Sequence, residues 1–182
     1  LEAINLNMDF EKTNWRQAYQ WLEQKQEELI KAYKDDDIQS VIGIQVSILK
    51  NYRTTAIAVR RVAHNKGGKT PGIDGDTLST FQDLVRVAKI AHKMVCNPSS
   101  YKPSPVKRVW IPKGENGKRP IGMPTVTDRV IQAIYLEAID PIVEEQSCKN
   151  SMGFRKLRGS TDGALAFRSK IIHPKASEWV YK

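Results

Sequence analysis

The stretch PVKRVWIPKGENGKRPIGMPTVTDRVIQ, residues 105–132, decides how the chain is read. Its first part, Val106-Lys107-Arg108-Val109-Trp110-Ile111-Pro112, is β-branched and aromatic and suits a pleated strand. Gly114 to Gly117 supplies a turn, and Arg119-Pro120-Ile121-Gly122-Met123 returns as a second strand, so the pattern predicts a β-hairpin with basic residues near its tip. Lys113 closes one strand and Arg119 begins the next, so the two side chains can converge across a short turn on one anionic ligand. A triphosphate suits such a pair, because Lys and Arg neutralise charge as a phosphoryl bond breaks. Exposed hairpins also carry basic residues for solubility alone, but the Gly-Pro-rich brackets fix this one more firmly than solubility requires. After the hairpin, Thr125 and Asp128 read as a capping box. The helix it opens carries Val130, Ile131, Ile134, Leu136, Ala138 and Ile139, and is expected to bend or end near Pro141.

Upstream, Trp15, Ala18, Trp21, Leu22, Leu29, Ile30 and Tyr33 recur at near-helical spacing and predict an amphipathic helix over residues 14–34. A second helix is expected from about Ile38 to Val62, with Val41, Ile44, Ile48, Tyr52, Ala56 and Val59 as its buried stripe. The segment from His64 to Gly75 holds four glycines and a proline, which forbid regular structure. Thr80 and Asp83 form another capping box, and a third helix follows through Leu84, Val87, Ala88, Ala91 and Val95 to about Asn97-Pro98. Downstream, Thr161 to Ile172 is expected to be helical and Trp179-Val180-Tyr181 to begin a strand. The class is therefore α+β, mostly helical, with one β-hairpin.

Charge narrows the partner. The net charge is +9 over 182 residues, but residues 1–37 hold nine acids against five Lys/Arg. Ile38 to Ile73 has no acid and six Lys/Arg, and Leu84 to Gly114 has none and seven. Acid-free basic stretches of this length favour phosphate backbones through counterion release. Cys96 and Cys148 are too few for a disulfide framework and are expected reduced. No window approaches eighteen apolar residues, so no membrane partner is expected.

Other chemistries find less support. Gly68-Lys69-Thr70 resembles a phosphate loop, but Ala63 stands where that pattern requires glycine. His92 and Cys96 lie one helical turn apart, and neither Cys148 nor His173 completes a zinc site. Asp128, Asp140 and Asp162 sit near expected helix ends, where capping explains them.

Residues 105–132 resemble the first reverse-transcriptase block of group II intron proteins: a basic pair, an apolar-Ile-Pro-Lys run, a turn with Asn-Gly-Lys, Arg-Pro-aliphatic-Gly, then Pro-Thr before Asp-Arg. AVRRVAHNKGGKTPGIDG, residues 58–75, is similar to the block that precedes it in that family, and NSMGFRKLRGSTDGA, residues 150–164, to the second block. Met152 stands where the family usually has Tyr, and Lys156-Leu157 where it has Pro-Gly or a similar pair.

The resemblance implies reverse-transcriptase fingers. It divides the chain into residues 1–13 as a tag or disordered N-terminus, 14–62 as an N-terminal helical extension, and 63–182 as fingers ending at the start of the palm. Lys113 and Arg119 match the residues that bind the triphosphate of an incoming dNTP, with Lys107 and Arg108 as helpers. Arg60, Arg61, Asn65, Lys66 and Lys69 fall in or beside the loop that lies over the template, and Arg155 in the block that supports the template strand. The implied partners are RNA, as intron or template, RNA/DNA template-primer and dNTP. The family's metal-binding carboxylates lie beyond the strand that Trp179 begins, so Mg2+ is expected only for a full-length parent, no cofactor for this stretch, and no primer extension by it alone. An RNA-binding maturase part acting in splicing, and a homodimer formed through the Trp15, Trp21 and Tyr33 stripe, are the alternatives. The family implies the cytoplasm of a bacterium, or an organelle matrix or stroma.

Overall fold

The structure, a computed structural model, describes residues 13–65, 67–114 and 117–172. The chain divides into two compact units, Leu1–Pro141 and Ile142–Lys182. The expected strand at Trp179–Tyr181 and the N-terminal residues 1–12 lie outside the described residues.

Helix α1 spans Trp15–Lys34, opened by Asn14, whose side chain accepts from the Gln17 amide at 3.2 Å. It buries Ala18, Leu22, Leu29 and Ala32 on one face. Asp37 then caps α2, Ile38–Lys50, by accepting from the Ser40 amide.

The helix expected from Ile38 to Val62 is two helices. Asn51 stands between them in an extended conformation (φ −83°, ψ 130°), its side chain accepting from the Arg53 amide to start α3, Tyr52–His64. An Asn side chain that competes for backbone amides stops one helix and caps the next, which apolar periodicity alone does not register. The break also changes what α3 touches: Thr54, Thr55, Ala56, Ile57, Ala58 and Val59 are all buried in succession, as in a helix with neighbours on every side.

Helix α4, Phe81–Cys96, carries the expected capping box, with both Thr80 and Asp83 bonds present. It faces α3 through Val87, Ala88 and Ala91, and through a buried hydrogen bond of 3.0 Å between Thr55 Oγ1 and His92 Nδ1. Burial holds the His92 imidazole below its ordinary pKa. Val126, Val130, Ile131 and Ile134 of the next helix close this core.

That helix, α5, spans Val126–Gln146 and does not end at Pro141. Proline lacks the N–H that would bond the carbonyl four residues back, here Glu137. Gln26 of α1 supplies the donor instead, its Nε2 reaching Glu137 O at 2.9 Å, and Gln45 of α2 donates to Ala138 O at 3.0 Å. With those carbonyls satisfied the helix continues. In the second unit α6, Ser160–Ile172, begins where Asp162 accepts from the Gly159 amide at 2.7 Å, and none of its residues is buried.

Strands β1 (Lys107–Lys113) and β2 (Gly117–Met123) form an antiparallel hairpin, and Gly114 turns the chain at φ +66°. No helix packs broadly on it among the described residues. The segments that lead into and out of it meet at one point. The buried Asp128 carboxylate accepts from the Tyr101 hydroxyl at 2.6 Å, ahead of β1, and from the Thr125 hydroxyl at 2.7 Å, just after β2. Burial first, and then the bond to Asp128, push the Tyr101 phenol up to about 12.

Two stability measurements follow from these bonds. Gln26→Ala is expected to cost about 1–3 kcal/mol in urea unfolding, because a buried carbonyl is left without a donor. In a Pro141→Ala background the restored N–H serves that carbonyl, so the same substitution should cost much less; equal costs in both backgrounds would dissociate Gln26 from Pro141. For Tyr101, the folded phenol titrates near 12 against an ordinary 10, so its contribution is constant below pH 10 and is lost as pH rises from 10 towards 12. Urea midpoints measured across that window should fall less steeply in Tyr101→Phe than in the parent chain.

Candidate nucleic-acid interface

The hairpin register decides which basic side chains share a face. Ile111 pairs with Arg119, Lys113 with Gly117, Val109 with Ile121 and Lys107 with Met123. Directly paired residues point to the same side and alternate along each strand. One face therefore carries Lys107, Val109, Ile111 and Lys113 with Met123, Ile121 and Arg119. Lys113 and Arg119 are diagonal neighbours on it, a separation of about 7–8 Å, and both are exposed. Lys107 lies on this face at the far end of β1, six residues or about 20 Å from Lys113. Arg108 lies on the opposite face with Trp110, Pro112, Lys118, Pro120 and Gly122, in line with the pairs Arg108–Gly122, Trp110–Pro120 and Pro112–Lys118. The structure thus brings together Lys113 and Arg119, and sets Lys107 and Arg108 apart from them.

The glycine-rich loop is held rather than free. Arg129, in the first turn of α5, donates through Nη1 to the carbonyls of Gly67 at 3.0 Å and Thr70 at 2.8 Å, and through Nε to Pro124 O at 3.1 Å. A side chain at Gly72 would meet the Thr125 Cα at 2.6 Å, so only glycine lets the loop approach α5 this closely. Between the loop, the end of β2 and α5 lies a pocket of about 640 Å3, walled by Arg61, Asn65, Met123, Arg129, Ala133 and Leu136 among others.

The residues expected near the template have varied surroundings. The Arg60 guanidinium lies 4.6 Å from the centroid of the Trp15 ring, and Arg53 lies 5.7 Å from that of Trp21, arrangements that favour a cation over an aromatic face. Those two tryptophans, which the sequence allowed as an interface stripe, are therefore partly covered by arginines. Arg61 is ion-paired with the buried carboxylate of Glu137. Asn65 ends α3, its amide donating to Arg61 O at 3.1 Å and its carbonyl accepting from the Gly68 amide at 2.8 Å. Lys69 is exposed on the loop, and Lys66 lies outside the described residues.

In the second unit Arg155 has a side chain only 9% exposed. It donates to Glu144 Oε2 at 2.7 Å and to the carbonyls of Cys148 and Glu144 at 2.6 and 3.0 Å. This bonding holds the Glu144 carboxyl below its ordinary range. Arg158 joins the same carboxylate at 3.2 Å.

Three features went unread in the sequence. Arg129 gives no sign of its three carbonyl partners. Glu137 had a signal, since it falls on the buried stripe with Val130, Ile134 and Ala138, where a carboxylate requires a partner. Trp110 was read for strand propensity alone. Among the described residues no group of three or more His, Cys, Asp or Glu is placed to hold a metal ion, and no helix is long and apolar enough to cross a membrane.

Residues 10–90 match the family model described as the N-terminal domain of reverse transcriptase. Protein YkfC of Escherichia coli K12 is 36% identical over 103 residues, 57% of this chain and 27% of that protein. The group II intron-encoded protein LtrA of Lactococcus lactis subsp. cremoris is 37% identical over 107 residues, covering 56% and 17%. The putative COX1/OXI3 intron 1 protein of Saccharomyces cerevisiae is 28% identical over 111 residues, covering 61% and 13%. The chain thus spans about a quarter or less of the length of these relatives. The match over residues 10–90, the hairpin motif and the intron-encoded relatives support a likeness to the N-terminal region of group II intron reverse transcriptases/maturases.

Proposed function

We propose that the chain forms fingers of an RNA-directed DNA polymerase of the group II intron type, receiving the triphosphate of an incoming dNTP on its hairpin and RNA along its basic surface. The observation that carries this reading is the shared hairpin face of Lys113 and Arg119, two exposed cations diagonal to one another at the tip. The anchored approach and exit support it, because cations on a hairpin whose flanking segments meet at Asp128 need little reordering to meet a ligand. The loop from Asn65 to Thr70 supports the RNA part: Arg129 binds its carbonyls while Lys69 stays exposed. Arg60 contributes positive potential from beside Trp15, while the charge of Arg61 is offset by Glu137. Arg155, within its own unit, acts in this reading by ordering the turn after α5 rather than by reaching out. The Mg2+ of a polymerase has no ligand set among the described residues, so no step of the reading passes through it.

In the full-length protein, Lys113→Ala or Arg119→Ala should lower kcat/KM for the dNTP by roughly 10- to 100-fold, the worth of one charge-assisted hydrogen bond. Unchanged steady-state kinetics in both would remove the hairpin from the triphosphate site. For the chain itself, affinity for labelled RNA should fall roughly 100-fold between 50 and 200 mM salt if about four cations meet phosphates. Affinity indifferent to salt would contradict the electrostatic account.

A further inference from the structure

The hairpin face opposite Lys113 and Arg119 has no part in the reading above, and its composition is not that of a solvated surface. Trp110 sits at its centre, 56% exposed, paired directly with Pro120 and followed on the same side by Pro112. Arg108 and Lys118 flank this apolar strip on the two strands, and both are exposed. Val106, also 56% exposed, extends it at the base, close enough that a side chain at Gly122 would meet its Cγ2 at 3.2 Å. Cations alone on a hairpin would be explained by solubility and by protection of a sheet edge. A large aromatic ring set between two prolines is not, since it enlarges the exposed apolar strip.

We propose that this outer face is a stacking platform for single-stranded RNA, with Trp110 receiving an unpaired base and Arg108 and Lys118 meeting the phosphates beside it. Charge complementarity selects the occupant. The two strands carry five basic residues, Lys107, Arg108, Lys113, Lys118 and Arg119, against the single acid Glu115 of the sequence between them, an excess that favours a polyanion over an acid-poor or basic protein partner. Stacking of bases on aromatic rings within a positive groove tolerates any sequence, because every base has a π-face. The neighbouring prolines restrict the backbone around Trp110, so little conformational entropy is lost on binding. A duplex keeps its bases stacked internally and cannot use the ring, so the site discriminates strandedness rather than sequence. The inference rests on the RNA-binding reading proposed above, while the triphosphate site lies on the other face and is independent of it.

The test measures binding of this chain to a labelled single-stranded oligouridylate and to an RNA duplex of equal length, for the parent chain, Trp110→Ala, Trp110→Phe and the double variant Arg108→Gln/Lys118→Gln. Matching circular dichroism and urea midpoints establish that the variants are folded. Trp110→Ala should bind the single strand about tenfold more weakly with an unchanged salt slope, and the duplex as before. Trp110→Phe should stay within about threefold of the parent, because it keeps a ring to stack on. The double variant should lose about 1.4 from its single-strand salt slope, the release of two counterions. Single-strand affinity unchanged in Trp110→Ala overturns the platform while leaving RNA binding elsewhere on the chain intact. A Trp110→Ala effect on self-association in sedimentation, with RNA affinity unchanged, overturns it in favour of an interface between copies. Failure of the parent chain to bind either RNA at low salt overturns both the platform and the RNA reading on which it rests.

Discussion

The buried carboxylate of Asp128 accepts from Tyr101, six residues ahead of β1, and from Thr125, two residues after β2. A two-stranded hairpin that buries little of its own surface is marginal in water. Its position has to be set from below. An ionisable group nearly removed from solvent is tolerated only when its oxygens are bonded, and here both are. The same turn of α5 supplies Arg129, which fastens the loop at Gly67 and Thr70 and the chain leaving β2 at Pro124. One helical turn thus fixes the approach to β1, the exit from β2 and the loop after α3.

Fixing its approach and exit gives the hairpin two distinct faces. Strand alternation assigns Lys113 and Arg119 to one and Trp110, Arg108 and Lys118 to the other. Among the described residues the cations at the tip have no ion-pair partner, whereas Arg61 is paired with Glu137, Arg60 lies over Trp15 and, within the second unit, Arg155 is paired with Glu144. A bidentate guanidinium serves well as an internal tie because it satisfies several acceptors at once. Basic composition therefore overstates the number of groups free to meet phosphate.

Much of this was legible in the sequence, for identifiable reasons. The hairpin was readable because β-branched residues, a glycine turn and alternating strands report local geometry directly. Thr80 with Asp83 was readable because a capping box is a contact between residues three apart. Asn51 was missed because helical periodicity continues across it, from Ile48 to Tyr52 and Ala56, while one side chain redirects the backbone. Pro141 misled in the opposite sense: its local effect is to interrupt a helix, and the compensation comes from Gln26 and Gln45, distant in sequence and visible only after packing. The proximity of Lys113 and Arg119 was accessible to sequence reasoning because the two residues flank one short turn, but the separation of Lys107 and Arg108 from that pair required the strand register.

The central claim is that Lys113 and Arg119 act as one anion site on a pre-positioned hairpin. It is tested most directly by following backbone amide resonances of the chain during titration with inorganic tripolyphosphate. Resonances of Lys113, Arg119 and the intervening turn should move together along a single saturating curve, with those of Arg108 and Lys107 nearly still. Equal, unsaturated shifts at every exposed lysine and arginine would contradict it, leaving only diffuse attraction to a basic surface.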